Sequence, residues 1–127
     1  MKKVEYMNYI TSYKERDLMV LDNDSWLIEV GDHVIQKKTS EGTESLSEIE
    51  MAIYCFWVLD YSVRNSGSLE EIEDIYPQAV NQLIDIFQKN KWRSSTFLAL
   101  AELDRNAFCR NYYAEFDQIC NELRAAY

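Results

Sequence analysis

Hydrophobic and polar positions alternate in three distinct ways along this chain, and each predicts a different element. Residues 3 to 21 place Val4, Met7, Ile10, Leu18 and Leu21 at roughly helical spacing. The charged run Lys14-Glu15-Arg16-Asp17 interrupts it, which predicts one or two short helices. Asp22-Asn23-Asp24-Ser25 then reads as a turn. From Trp26 to Lys37 the period changes, because Trp26, Ile28 and Val30 alternate with Leu27 and Glu29 ahead of Gly31-Asp32, a pair suited to a two-residue hairpin turn. Closing that turn pairs Val30 with His33, Ile28 with Ile35 and Trp26 with Lys37 on the more apolar face. A small β-hairpin over about 26–37 is therefore expected, followed by a polar loop over 39–43.

The third pattern is the strongest. Ser45-x-x-Glu48 matches a capping box, in which the serine oxygen accepts from an orphan amide and the glutamate reaches back. Leu46, Ile49, Ile53, Phe56 and Trp57 follow on one face, while Met51, Tyr54, Cys55, Val58, Leu59 and Tyr61 fill the rest. A helix apolar nearly all round is a buried central helix, here about 46–65, ending where Gly67 can take a left-handed cap conformation. Ser68-x-x-Glu71 repeats the capping pattern before Leu69, Ile72 and Ile75, and Pro77 suits the first position of another helix. That helix carries Val80, Leu83, Ile84 and Phe87, with Lys89, Lys91 and Arg93 toward its C-terminal end. Ser94 or Ser95 can cap a short helix through Leu103, and Asp104 a final one with Phe108, Tyr112, Phe116, Ile119 and Leu123 on its stripe. The expected fold is mainly α: a helical bundle around a buried central helix, with a small hairpin near the N-terminus.

Length and composition narrow this further. The 127 residues, 47% hydrophobic, suit one domain over 1–127, and neither an internal repeat nor a linker-like tract divides them. The start of the chain lacks the pattern of a secretory signal, and no run reaches the roughly 18 apolar residues of a membrane span. Cys55, Cys109 and Cys120 are an odd set in apolar surroundings, which points to reduced, buried thiols and a cytoplasmic protein. Cys109 and Cys120, eleven residues apart on one helix, would lie roughly 16 Å apart and could not bridge.

Charge makes the picture uneven. The net charge of −9 argues against unassisted nucleic-acid binding, which relies on Lys and Arg neutralising phosphates. Between residues 44 and 76 stand eight acidic side chains and one basic one, so that stretch carries nearly all of the imbalance. Two groups within it are candidate partner-binding residues: Glu70, Glu71, Glu73 and Asp74, and Glu44, Glu48 and Glu50. Carboxylates spaced along helix faces can attract a basic protein or imitate a phosphate ladder, although charge runs are commonly no more than a solvated face. Asp60 is the one charge within the apolar run, and Arg64, four residues on, is its natural structural partner.

Catalytic and metal chemistry finds little to work with. The sole histidine, His33, has no Cys, Asp or Glu at an established ligand or triad spacing and reads as a solvent-exposed turn residue. Asp22 and Asp24 begin like a calcium loop, but Trp26 occupies the next alternate position. Gly31, Gly42 and Gly67 are too scattered for a phosphate loop, so no catalytic residue, metal or cofactor is expected.

Leu46-Ser47-Glu48-Ile49-Glu50, then Phe56 to Val63, then Arg64-Asn65-Ser66-Gly67 resemble the helix-to-turn signature of a family of small bacterial proteins that includes an acidic DNA-mimic protein. There a Val-x-Asn-Gly-Gly-Phe turn follows a long helix. Val63, Asn65 and Gly67 match it, whereas Ser66 and Ser68 replace the first Gly and the Phe; Leu103-Asp104 before a final helix also fits. The likeness spans residues 45 to 120 and implies a nearly all-helical fold that binds a DNA-binding or otherwise basic protein. Small acidic domains of this kind also resemble immunity proteins, which neutralise a toxin, often a nuclease. The expected function is thus a non-enzymatic, acidic, protein-binding inhibitor of the immunity type. DNA-mimic regulation stands second, and an enzyme of unrecognised type third.

Overall fold

The computed structural model of the chain describes residues 20–127. Of the helices expected over 3–21, only Val20 and Leu21 fall within that range, and neither is helical; the remainder lies outside the described residues. Six helices follow. They are α1 (Asn23–Glu41), α2 (Glu48–Ser66), the one-turn α3 (Ile72–Ile75), α4 (Ala79–Lys89), α5 (Ser95–Leu103) and α6 (Arg105–Ala126), with a 3₁₀ turn at Thr43–Ser45 between the first two. No strand occurs among the described residues.

The expected hairpin is therefore wrong, and the reason lies in two residues. Asp22, read from sequence as part of a turn, is the N-cap of α1: its carboxylate accepts the Ser25 N–H at 2.7 Å, satisfying an orphan amide. Gly31, read as a turn glycine, is buried in mid-helix, where a β-carbon would stand 2.6 Å from Cδ1 of Trp57. It permits close approach of two helices rather than a reversal of the chain. Trp26, Leu27, Val30 and Val34 are buried at the helical period, whereas Ile28, assigned to the apolar face of the hairpin, is 62% exposed.

α2 is the central helix. It packs against α1, α4, α6 and the short α3, and residues such as Ala52, Ile53, Phe56, Val58 and Leu59 are almost wholly withdrawn from solvent. Burying a side chain the size of Phe56 contributes about 2–3 kcal/mol before entropy is counted. Its capping box forms two residues later than expected. Ser47 accepts the Glu50 N–H at 3.1 Å and Glu50 accepts the Ser47 N–H at 2.9 Å, while Ser45 sits in the 3₁₀ turn and donates to the Gly42 carbonyl. At the other end Gly67 adopts a φ of 72° and donates its N–H to the Val63 carbonyl, the left-handed cap the sequence predicts.

The later elements follow their apolar stripes with smaller shifts. The second expected capping box does not form: Ser68 Oγ accepts from Glu70 N–H, and the Glu71 N–H goes to Ser62 instead. Pro77 lies in a turn closed from the Ala79 N–H to the Tyr76 carbonyl, two residues ahead of α4 rather than inside it. Ser94 takes the N-cap position of α5 without a side-chain capping bond. Asp104 caps α6, accepting the Ala107 N–H at 3.1 Å. α6 closes back on α1, where Arg124 donates to the Leu21 carbonyl and to Asn23, and Asn23 donates to Asp117. No helix among the described residues is long and apolar enough to cross a membrane.

Candidate functional site

The two acidic groups flank α2, and the fold treats them differently. In the first, Glu44 stands exposed in the 3₁₀ turn, but Glu48 and Glu50 are engaged. Lys89 at the end of α4 donates to Glu48 at 2.6 Å, and these bonds, with one from Asn90, hold the Glu48 carboxyl below its ordinary range. Lys37 of α1 donates to Glu50 at 2.9 Å. Burial works to raise the Glu50 carboxyl, yet the Ser47 amide and the Lys37 ammonium overcome it and leave it lowered. These charges join α1 and α4 to the start of α2.

In the second group only Glu71 is tied, accepting Asn65 Nδ2 at 3.0 Å. Glu70, Glu73 and Asp74 are exposed and make no ion pair among the described residues. Their position is set from beneath. Ser62, a buried residue of α2, donates to the Ser68 carbonyl at 2.7 Å and accepts the Glu71 N–H at 3.2 Å, while Leu69 and Ile72 insert into the core. The acidic turn is thereby fixed to the end of the central helix. Arg105 and Arg110 stand with Glu70 around a surface cleft of about 440 Å³.

Between the two groups lies Asp60. Arg64 Nε donates to both of its oxygens, at 2.9 and 3.0 Å, and Arg64 Nη2 donates to Asp24 of α1 at 2.7 Å. The buried Tyr112 hydroxyl of α6 makes a short hydrogen bond to the same Asp60. The guanidinium also lies over the Phe116 ring, 4.8 Å from its centroid. Burial pushes the Asp60 carboxyl above its usual value against the pull of Tyr112 and Arg64, and burial with the Asp60 charge raises the Tyr112 phenol well beyond its own. Asp24 and Tyr112 have no sequence signal linking them to Asp60; the one clue to the second is that a tyrosine on a buried stripe must find a partner for its hydroxyl.

Asp60 and Arg64 also floor a cleft of about 310 Å³ between α1 and α2, walled by Trp57, Tyr61, Leu27 and Ile28. His33 is exposed on α1, a helix rather than a turn, and does not line this cleft. Cys55 and Cys120 are buried and Cys109 is half-buried, all free, with burial pushing the Cys55 thiol up to about 12. Among the described residues no group of three or more His, Cys, Asp or Glu is placed to hold a metal ion. No protein-family model matches the chain, and neither a curated protein nor a solved structure matches it.

Proposed function

We propose that the chain is a non-enzymatic acidic inhibitor that binds a basic protein in the cytoplasm, and that its partner is a toxin it neutralises, in the manner of an immunity protein. The observation that supports this reading most is the Glu70–Asp74 turn. Three exposed carboxylates stand there with no described cation paired to them, on a scaffold that holds their backbone in place. Exposed carboxylates outside any described ion pair, on a molecule of net charge −9, draw a basic surface toward them and raise the encounter rate. The active site of a nuclease, built to hold phosphate, is a surface of that kind.

Capture of a DNA-binding protein by mimicry is the second reading, suggested by the helix-to-turn resemblance. It is less well supported because a phosphate ladder needs several free carboxylates in sequence, and Lys89 and Lys37 already engage Glu48 and Glu50. A catalytic reading would centre on Asp60, whose cleft contains neither His33 nor a thiol.

The test begins with the product of the gene beside this one. A one-to-one complex in calorimetry, together with loss of that product's toxic activity when the two are mixed, is the expected result. A neighbour that is harmless, or that ignores this chain, would count against immunity; competition with DNA for a DNA-binding partner would favour mimicry.

A further inference from the structure

The cleft between α1 and α2 brings apolar and charged side chains together at the surface. Trp57 and Tyr61, one helical turn apart, stack with ring centroids 5.6 Å apart and 17° between their planes. Tyr61 is 44% exposed, and Ile28 on the opposite wall is exposed as well. Large aromatic and aliphatic side chains shown together at a surface are the usual anchors of an interface.

Charge selects the occupant. Two carboxylates, Asp24 and Asp60, meet one guanidinium, so Arg64 is already compensated and the cleft keeps a net negative charge. Among the described residues Asp24 accepts through Oδ1 alone, which leaves Oδ2 unpartnered on a side chain that is 62% exposed. An anion would meet this excess carboxylate, and a purely apolar group would leave it desolvated. A planar cation satisfies both parts, since a guanidinium stacks on aromatic rings and presents its fork of donors to a carboxylate. Phe116 and Arg64 illustrate that geometry within the molecule, at 4.8 Å.

We infer that this cleft receives an arginine side chain of the protein partner, stacked on the exposed Tyr61 ring of the Trp57–Tyr61 pair and bonded to Asp24. The inference rests on the reading of the chain as a binder of basic proteins, and it adds an anchoring point where the Glu70–Asp74 turn supplies attraction.

The probe is N-acetyl-arginine amide, titrated into the full chain while the indole N–H of Trp57 and the amides of 57–65 are followed by NMR. Saturable shifts confined to the cleft are expected, weakened roughly fivefold by Tyr61→Ala or Asp24→Asn and in N-acetyl-lysine amide. Thermal melts of both variants confirm that they remain folded. Shifts that do not saturate, equal shifts with N-acetyl-lysine amide or N-acetyl-aspartate amide, or shifts that survive Tyr61→Ala overturn the assignment. Neutralising Glu70, Glu71, Glu73 and Asp74 leaves the arginine titration unchanged if the cleft is a separate site. Should the titration fail while the same neutralisation still slows binding to the neighbouring gene's product, the cleft is removed and the protein-binding reading stands.

Discussion

The acidic groups at the two ends of α2 look alike in sequence and behave differently in the fold. At the start of the helix, Lys37 comes from thirteen residues upstream and Lys89 from forty-one downstream, and each takes a carboxylate. At its end no lysine or arginine among the described residues reaches an ion pair with Glu70, Glu73 or Asp74. Charge density along a chain therefore says little about availability; what decides is which cations the neighbouring helices deliver. Glu48 and Glu50 contribute to helix assembly, whereas Glu70, Glu73 and Asp74 make no ion pair among the described residues.

Substitutions can break that division. The largest effect is expected at Asp60, the extreme case of an engaged carboxylate. Asp60→Ala strands the Tyr112 hydroxyl and removes one partner of Arg64, costing about 2–3 kcal/mol in urea denaturation; an unchanged midpoint would mean that the network carries no stability. Glu50→Ala removes the side-chain half of the capping box and the Lys37 bond, so a loss of about 1 kcal/mol is expected by the same measurement. Acid should expose the same contrast. Because the folded Glu50 carboxyl is held below its ordinary value, its stabilising contribution is present above that value and is lost as pH falls through the folded pKa. Burial raises Asp60, so the fold binds its proton more tightly than the unfolded chain does, and its contribution runs the opposite way: present below the ordinary carboxylate range and lost as pH rises through the folded pKa. Melts between pH 6 and pH 3 should thus fall less steeply in Glu50→Gln than in the parent, and more steeply in Asp60→Asn. Smallest in stability terms is the change Glu70→Gln, Glu73→Gln and Asp74→Asn, expected to stay within about 0.5 kcal/mol of the parent. Its effect should appear in association with the partner, as a several-fold slower on-rate at low salt and a flatter salt dependence. A large loss of stability in that variant would erase the distinction between the two groups.

Elements legible from sequence were those fixed by local chemistry. The apolar run from Met51 to Val63 could bury only as a central helix, Gly67 offered the left-handed cap, and Asp104 stood where a final helix had to begin. The position of the first capping box was ambiguous, because Ser45/Glu48 and Ser47/Glu50 both satisfy the spacing and only the path of the preceding turn chooses between them. The α1 segment carries two periods at once, since Trp26, Val30 and Val34 fit a helical stripe while Trp26, Ile28 and Val30 fit an alternating one. Gly31 suits a turn by local chemistry, whereas its role is set by Trp57, a residue distant in sequence. The candidate site shows the same divide. Asp60 and Arg64 are neighbours on one helix face, whereas Asp24, Tyr112, Lys37 and Lys89 arrive through tertiary packing that no local pattern encodes.

Ser62 carries a consequence for how the acidic turn could bind. By accepting one amide and donating to one carbonyl of the turn, its hydroxyl removes conformational freedom from the segment before any partner arrives. The entropy of ordering those residues is then settled during folding rather than at association. Ser62→Ala would touch no surface carboxylate and alter no charge, yet it would return that freedom to the free state. A partner seated on Glu70, Glu73 and Asp74 would lose affinity through a turn it must now order itself, without losing a single contact.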